Sequence, residues 1–371
     1  MATKAIGILN LHRCTQLGGL TKTRSVASTS FLGRYSFMDF ALSNFSNSDI
    51  DNIAILVKEH IRSIIQHVAT GAEWTENSKL GGLTLLYDEP HAMSPIYNHD
   101  INNLQENSWY LKSKEADVLV FAPAHIIYKL DFRPLIEEHV KKNKRITIVY
   151  SHVNNAKTSF IGEDRCIFDS EGKLRNIELN LGADNEADIF LQTVIIDKEL
   201  LRGFMHYGQK TSSVYDLRDV LRMLAKSIDV NTYRYEGKVL CFSSLQDYLI
   251  NSLAFLDPEL QRYFFSKDWP IYTKTYDTPP VHFNMQGQAI NSIISNGCQI
   301  KGTVRNSILA RGVIVEAGAV VENSIILSDT YVSEYTHLDH VVCDKESRII
   351  HCKEIIGNDS DVQFIKRGDI I

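Results

Sequence analysis

The side chains able to do chemistry in this chain are dispersed. His337 and His340 stand close together near the C-terminal end, where an exposed imidazole could act as the general base of an acyl transfer. A surface or inter-coil histidine is the simpler expectation, since a fold does not by itself assign a reaction. Cys14, Cys166, Cys241, Cys298, Cys343 and Cys352 make no CxxC pair and no His/Cys cluster at metal-ligand spacing, so reduced structural thiols and no metal centre are expected. Asp100, Asp131 and Glu178 are carboxylates that could ligate a cation if folding brought two of them beside a phosphate pocket. Arg24, Arg34, Lys129, Lys366 and Arg367 are cations available to an anion, although a solvated surface is the simpler expectation for them.

These residues need a scaffold, and the sequence describes two. Lys4 to Leu11, Asn52 to Val57, Asp117 to Phe121 and Arg145 to Val149 are apolar or β-branched runs without polar alternation, as in strands covered on both faces. Helical patterns lie at Ser36 to Asn44, Glu59 to Val68, Leu104 to Lys114 and Asp131 to Lys142, which makes an α/β region with a mainly parallel sheet. Cys166 to Leu179 reads as two strands around a turn at Ser170 to Gly172, Tyr215 to Ser227 as an amphipathic helix, and Ser243 to Leu256 as a helix capped by Ser243 or Ser244. Pro258, Pro270, Pro279 and Pro280 then interrupt the pattern. Beyond them aliphatic residues recur at a six-residue step: Ile294 and Ile300, then Ile308, Ile314, Val320, Ile326, Val332 and Leu338. That period fits neither a helix nor an alternating strand. It is the repeat of a parallel β-helix, with Gly302, Gly312, Gly318, Ser324 and Ser328 where the coil turns. The expected organisation is an α/β domain over 1–256, a linker over 257–285 and a left-handed parallel β-helix of hexapeptide repeats over 286–371.

A length of 371 residues suits two domains, and 44% hydrophobic with 23% charged residues excludes disordered and low-complexity classes. The net charge of −6 argues against broad binding to nucleic acid or anionic membrane. Neither a signal peptide nor a bilayer-length apolar run is present, so a cytoplasmic protein is expected.

Three stretches then narrow the reading. Leu20-Thr21-Lys22-Thr23-Arg24, Phe31-Leu32-Gly33-Arg34-Tyr35 and Asp39-Phe40-Ala41-Leu42-Ser43-Asn44 resemble the N-terminal signature of glucose-1-phosphate adenylyltransferases, the ADP-glucose pyrophosphorylases. The similarity continues through His125 to Phe132 and through Ser292 to Cys298. The resemblance implies a Rossmann-like nucleotidyltransferase domain followed by the β-helix, but its chemistry is eroded. The family's Gly-Gly-x-Gly-Thr-Arg-Leu loop brings backbone amides to nucleotide phosphates; here it is Leu11-His12-Arg13-Cys14-Thr15-Gln16-Leu17. The lysine of its Arg-Ala-Lys-Pro segment is Val26. Its two magnesium-binding aspartates fall on Ala124 and Cys241, neither of which suits a hard cation. Its Glu-Lys-Pro lysine is lost in Glu178-Leu179-Asn180, and its Gly-Thr-Ala-Asp loop falls on His99-Asp100-Ile101-Asn102.

Losing one well-aimed electrostatic contact costs roughly 3–4 kcal/mol in such reactions. The resemblance therefore implies no catalytic, substrate-binding or metal residue in this chain and no bound cofactor, magnesium belonging to a catalytic partner. It implies a regulatory subunit, with the catalytic subunit as partner in a heterotetramer, supplying ADP-glucose for glycogen synthesis. The alternatives are an active sugar-1-phosphate nucleotidyltransferase with relocated metal ligands, and an effector-binding module.

Overall fold

In the computed structural model the described residues are 3–13, 15–75, 81–88, 98–211, 216–225 and 227–371. Cys14 and Tyr215 lie outside them. The chain divides into two compact units, one of Met1–Cys14 and Phe40–Cys241, the other of Thr15–Asp39 and Phe242–Ile371.

The first unit is built on a nine-stranded mixed sheet. Ala5–Asn10 lies between Asn52–Leu56 and Val118–Ala122, parallel to both, and Gly82–Leu86 extends the parallel side. These strands form because each apolar run is buried on both faces; Ile6, Ile8, Ile53, Ala54, Leu119 and Val120 are fully inaccessible. The sheet is less parallel than the sequence suggests. Ala187–Asp197, whose polar ends conceal an apolar centre, runs antiparallel to Val118–Ala122, to Ile146–Val153 and to Asp164–Phe168. The hairpin expected around Gly172 is present as Asp164–Phe168 and Leu174–Leu179, and Gly172 has a left-handed φ of 77°.

The helices follow their caps. Asp131 accepts from the Arg133 amide at the start of Phe132–Lys141, and Asp216 and Asp219 make a reciprocal capping box on Leu217–Leu224. The helix expected over Leu104 to Lys114 is two, Asp100–Glu106 and Ser108–Ser113. Asn107 separates them, its amide donating to the Asn103 carbonyl at 3.0 Å and the Tyr87 carbonyl at 3.1 Å; a side chain bonding backbone in this way competes with helix propagation. Asn44, in helix Phe37–Asn47, donates to the Tyr128 carbonyl at 3.0 Å.

In the second unit, Ser244 caps helix Leu245–Leu253. The stretch expected as a linker opens with helix Pro258–Phe264, where Asp257 caps and Pro258 fills the first turn. Three five-stranded parallel sheets then face one another around a coil, consistent with a left-handed β-helix of hexapeptide repeats.

The stacking register is 17 residues over most of the coil, as in Val304↔Val321↔Leu338 and Val315↔Val332↔Ile349. A 17-residue turn cannot contain three six-residue sides. One side is shorter, and a strict six-residue step slips by one place across it. The coil interior consequently holds Leu309, Val315 and Val321 as the apolar stripe, while Ile314 and Val320 are half-buried and Ile308 is buried outside that cluster. Ile300, Ile326, Val332 and Leu338 point inward as read.

Corners repeat with the same register. Asn291, Asn306, Asn323 and His340 all take a left-handed φ between 44° and 52°, a conformation Asn tolerates better than most residues. The Asn291 amide donates to the Asn306 carbonyl oxygen at 2.8 Å, one rung to the next.

Candidate functional site

The carboxyl end of Ala5–Asn10 in a Rossmann-like sheet is where a phosphate ligand belongs, and described side chains pack there. Leu11 and His12 are buried, His12 with 6% of its surface exposed. Its Nε2 lies 3.2 Å from the Asn103 amide, and burial, aided by the positive charge of Lys58, pushes the imidazole down to about 3. A neutral, packed ring stands where the resemblance leads one to expect a glycine-rich loop.

The neighbouring cations are already engaged. Arg13 pairs with Asp216 and lies 3.7 Å from Asp219. Arg218 lies 3.2 Å from the fully buried Asp164, which also pairs with Arg222. Burial raises the Asp164 carboxyl and lowers the Arg218 guanidinium, and their mutual attraction offsets part of that cost. Asp100 accepts from the Asn10 amide at 2.9 Å and the Leu217 backbone at 2.9 Å. Among these groups remains a cavity of about 30 Å³, lined by Asn10, Arg13, Asp100, Pro123, Gln192 and Arg218.

Ala124 is buried and offers no ligand. Beside it the fold assembles a group that the linear spacing conceals. His125 Nε2 is 3.1 Å from Glu163 Oε1, and Cys241 Sγ is 3.9 Å from the same oxygen. The donor atoms of His125, Glu163 and Cys241 all lie within 4.8 Å of one another. Antiparallel pairing of Cys241 with Ile126 brings the thiol to the histidine. Burial disfavours the charged form of Glu163, but attraction and a hydrogen bond from His125, with the Gln192 amide at 2.7 Å, hold its carboxyl below the usual range. Gln192 reaches it from a bulge in Ala187–Asp197 at a left-handed φ of 51°. Glu163 and Gln192 were invisible in the sequence because neither belongs to a motif.

The carboxylates proposed from sequence do not gather. Asp131 is a helix cap held by Arg133, and Glu178 pairs with Arg165 at 2.6 Å. Of the proposed cations, Arg24 is no solvated residue: 5% exposed, it makes a two-pronged pair with Asp344 at 2.7 and 2.8 Å. Arg367 pairs with Glu346 at 2.7 Å, and Lys366 is exposed. His337 lies 3.4 Å from Glu322, and His340 lies 2.7 Å from Asp339 at a coil corner.

The second unit contains a larger cavity, of about 400 Å³, lined by Arg34, Tyr35, Tyr276, Ser295, Asn296 and Arg311 among others. The Arg311 guanidinium sits 4.2 Å from the Tyr276 ring centre. Two guanidinium groups beside aromatic faces suit an anion carrying a flat or apolar part.

Comparison with known proteins agrees with this architecture. Residues 11–162 match the nucleotidyl transferase family and 279–367 the GlmU-like, C-terminal hexapeptide family. The glycogen biosynthesis protein GlgD of Bacillus subtilis is 25% identical over 353 residues, 95% of this chain and 92% of that protein. The glucose-1-phosphate adenylyltransferase of Acetivibrio thermocellus is 26% identical, over 90% of this chain and 79% of its own. That of Thermomicrobium roseum is 29% identical, over 88% and 81%. With a model matched at each end and relatives of both kinds spanning most of the length, the chain is matched at family level to the ADP-glucose pyrophosphorylases, the level shared by the adenylyltransferases and GlgD.

Proposed function

We propose that the chain is a regulatory, catalytically impaired subunit of a hetero-oligomeric glucose-1-phosphate adenylyltransferase, assembled with a catalytic subunit as a heterotetramer in the cytoplasm. The assembly would convert ATP and glucose 1-phosphate to ADP-glucose and diphosphate for glycogen synthesis. The observation that carries this reading is the cavity of about 30 Å³ at the end of Ala5–Asn10. Small-molecule sites run to roughly 300–1,000 Å³, and the Arg13–Asp216 and Arg218–Asp164 pairs line or adjoin this much smaller space. Acting through contacts requires that this chain favour the partner's active conformation by about 1–3 kcal/mol.

The alternative, an active nucleotidyltransferase with relocated metal ligands, has support of its own. Working adenylyltransferases match as much of the chain as GlgD does, so the comparisons taken alone favour it. His125, Glu163 and Cys241 also bring potential ligands to the place where the family's aspartates are missing. An effector-binding role finds its support in the cavity between Arg34 and Arg311.

ADP-glucose synthesis with Mg²⁺, assayed for this chain alone, for the catalytic subunit of the same cell alone and for the mixture, separates the readings. Silence alone with a faster or tighter mixture supports the regulatory role. Turnover by the chain alone overturns it in favour of the relocated-ligand enzyme.

A further inference from the structure

The family that this chain resembles places magnesium where Ala124 and Cys241 stand, and the residues here do not fit that ion. Mg²⁺ demands near-octahedral oxygen ligands. At this position Ala124 supplies none, Cys241 supplies sulfur, and the single carboxylate, Glu163, is shared with His125 and Gln192. Nitrogen, sulfur and one carboxylate oxygen are instead the donor set of a borderline-soft, tetrahedral cation.

The geometry agrees with that chemistry. Zinc bonds of about 2.0–2.1 Å to N or O and about 2.3 Å to S require tetrahedral donors to stand roughly 3.3–3.6 Å apart. The observed separations are 3.1 Å for His125 Nε2 to Glu163 Oε1 and 3.9 Å for Cys241 Sγ to that oxygen, with the histidine and the thiol within 4.8 Å of each other. Shifts of about 1 Å would seat an ion. The three residues are 0%, 1% and 3% exposed, so water does not compete for them. They come from segments far apart in sequence, each held by its backbone: His125 follows Val118–Ala122, Glu163 precedes Asp164–Phe168, and Cys241 ends a strand paired to Ile126–Ile127. Gln192, 3.4 Å from His125 Nε2 and donating to Glu163 Oε2 at 2.7 Å, fixes the carboxylate from outside the three donors. A strained bulge residue aimed at a buried polar group is the kind of feature that marks a built site.

We propose that His125, Glu163 and Cys241, with Gln192 orienting the carboxylate, form a buried zinc site that ties three segments of the first unit together. Its role is structural: the ion replaces, with a different metal, the position that binds substrate-bridging magnesium in the related enzymes. Binding converts the Cys241 thiol to thiolate and releases its proton. The site is independent of the reading of activity above, because metal content is measured on the chain alone and without substrates.

The test is elemental analysis of the full chain, purified without a histidine tag from zinc-supplemented culture, alongside the variants Glu163→Gln and Cys241→Ser. About one zinc per chain is expected in the natural sequence and less than about a tenth of that in either variant. Substitution of Co²⁺ into the unmutated chain provides a readout that does not depend on variants folding: intense tetrahedral d–d bands with a thiolate charge-transfer band are expected. A chain that carries no stoichiometric zinc after zinc supplementation, or a Cys241→Ser protein that keeps the full load, overturns the proposal. So does a Co²⁺ spectrum without the thiolate band.

Discussion

His12 is a residue whose burial has a measurable consequence. Its imidazole is held neutral down to about pH 3 in the folded chain, while an unfolded histidine titrates near 6.5. As pH falls through 6.5 the unfolded state takes up a proton that the folded state refuses, so stability is complete above that value and declines below it. The expected loss between pH 7 and pH 5 is about 2 kcal/mol. Urea midpoints at the two pH values, for the natural chain and for His12→Asn, check this: the variant should show a shallower decline, and an identical slope would refute it. Arg24 and Asp344 offer a second test. Both are buried and face each other with two hydrogen bonds. Asp344→Ala should cost about 3–5 kcal/mol by stranding the guanidinium, whereas replacing both partners with apolar residues should recover most of it.

At the level of elements, the coil supplies the sharper contrast. Val321 is fully buried while Val320 is half-buried. Val321→Ala should destabilise by roughly 1.5–3 kcal/mol and Val320→Ala by much less; thermal denaturation of the two variants distinguishes this register from one displaced by a residue. Gly302 tests the corner. A Cβ there would stand 2.3 Å from the Ala319 carbonyl oxygen of the next rung, so Gly302→Ala must push two rungs apart and should lower the melting temperature more than either valine change. In the first unit, Asn107 divides a helix by bonding its own backbone neighbours. Apolar spacing alone does not register such a competition.

For the molecule as a whole, the proposed impairment could rest on absent metal carboxylates or on the small cavity. Introducing carboxylates by Ala124→Asp with Cys241→Asp addresses the first only. Because Arg13, Asp100, Gln192 and Arg218 line a space of about 30 Å³, the proposed reading expects no ADP-glucose synthesis from the double variant assayed alone. Measurable turnover by it would show that the ion pairs open to admit a nucleotide. No helix among the described residues is long and apolar enough to cross a membrane.

Local chemistry written in the sequence determined much of this. Apolar runs such as Asn52–Leu56, caps such as Asp131 and Ser244, and the six-residue aliphatic step are short-range signals, readable because strand, helix and coil periods are properties of neighbouring residues. The eroded loop and the missing aspartates were legible for the same reason, as substitutions within contiguous motifs. The tertiary structure alone decided what fills the vacated space. His125, Glu163, Gln192 and Cys241 are brought together by sheet pairings across more than a hundred residues, and the Arg24–Asp344 pair spans 320. The 17-residue rung, too, is set by stacking between coils. Contacts of that range depend on how strands and rungs align in space, and no local period or spacing encodes them.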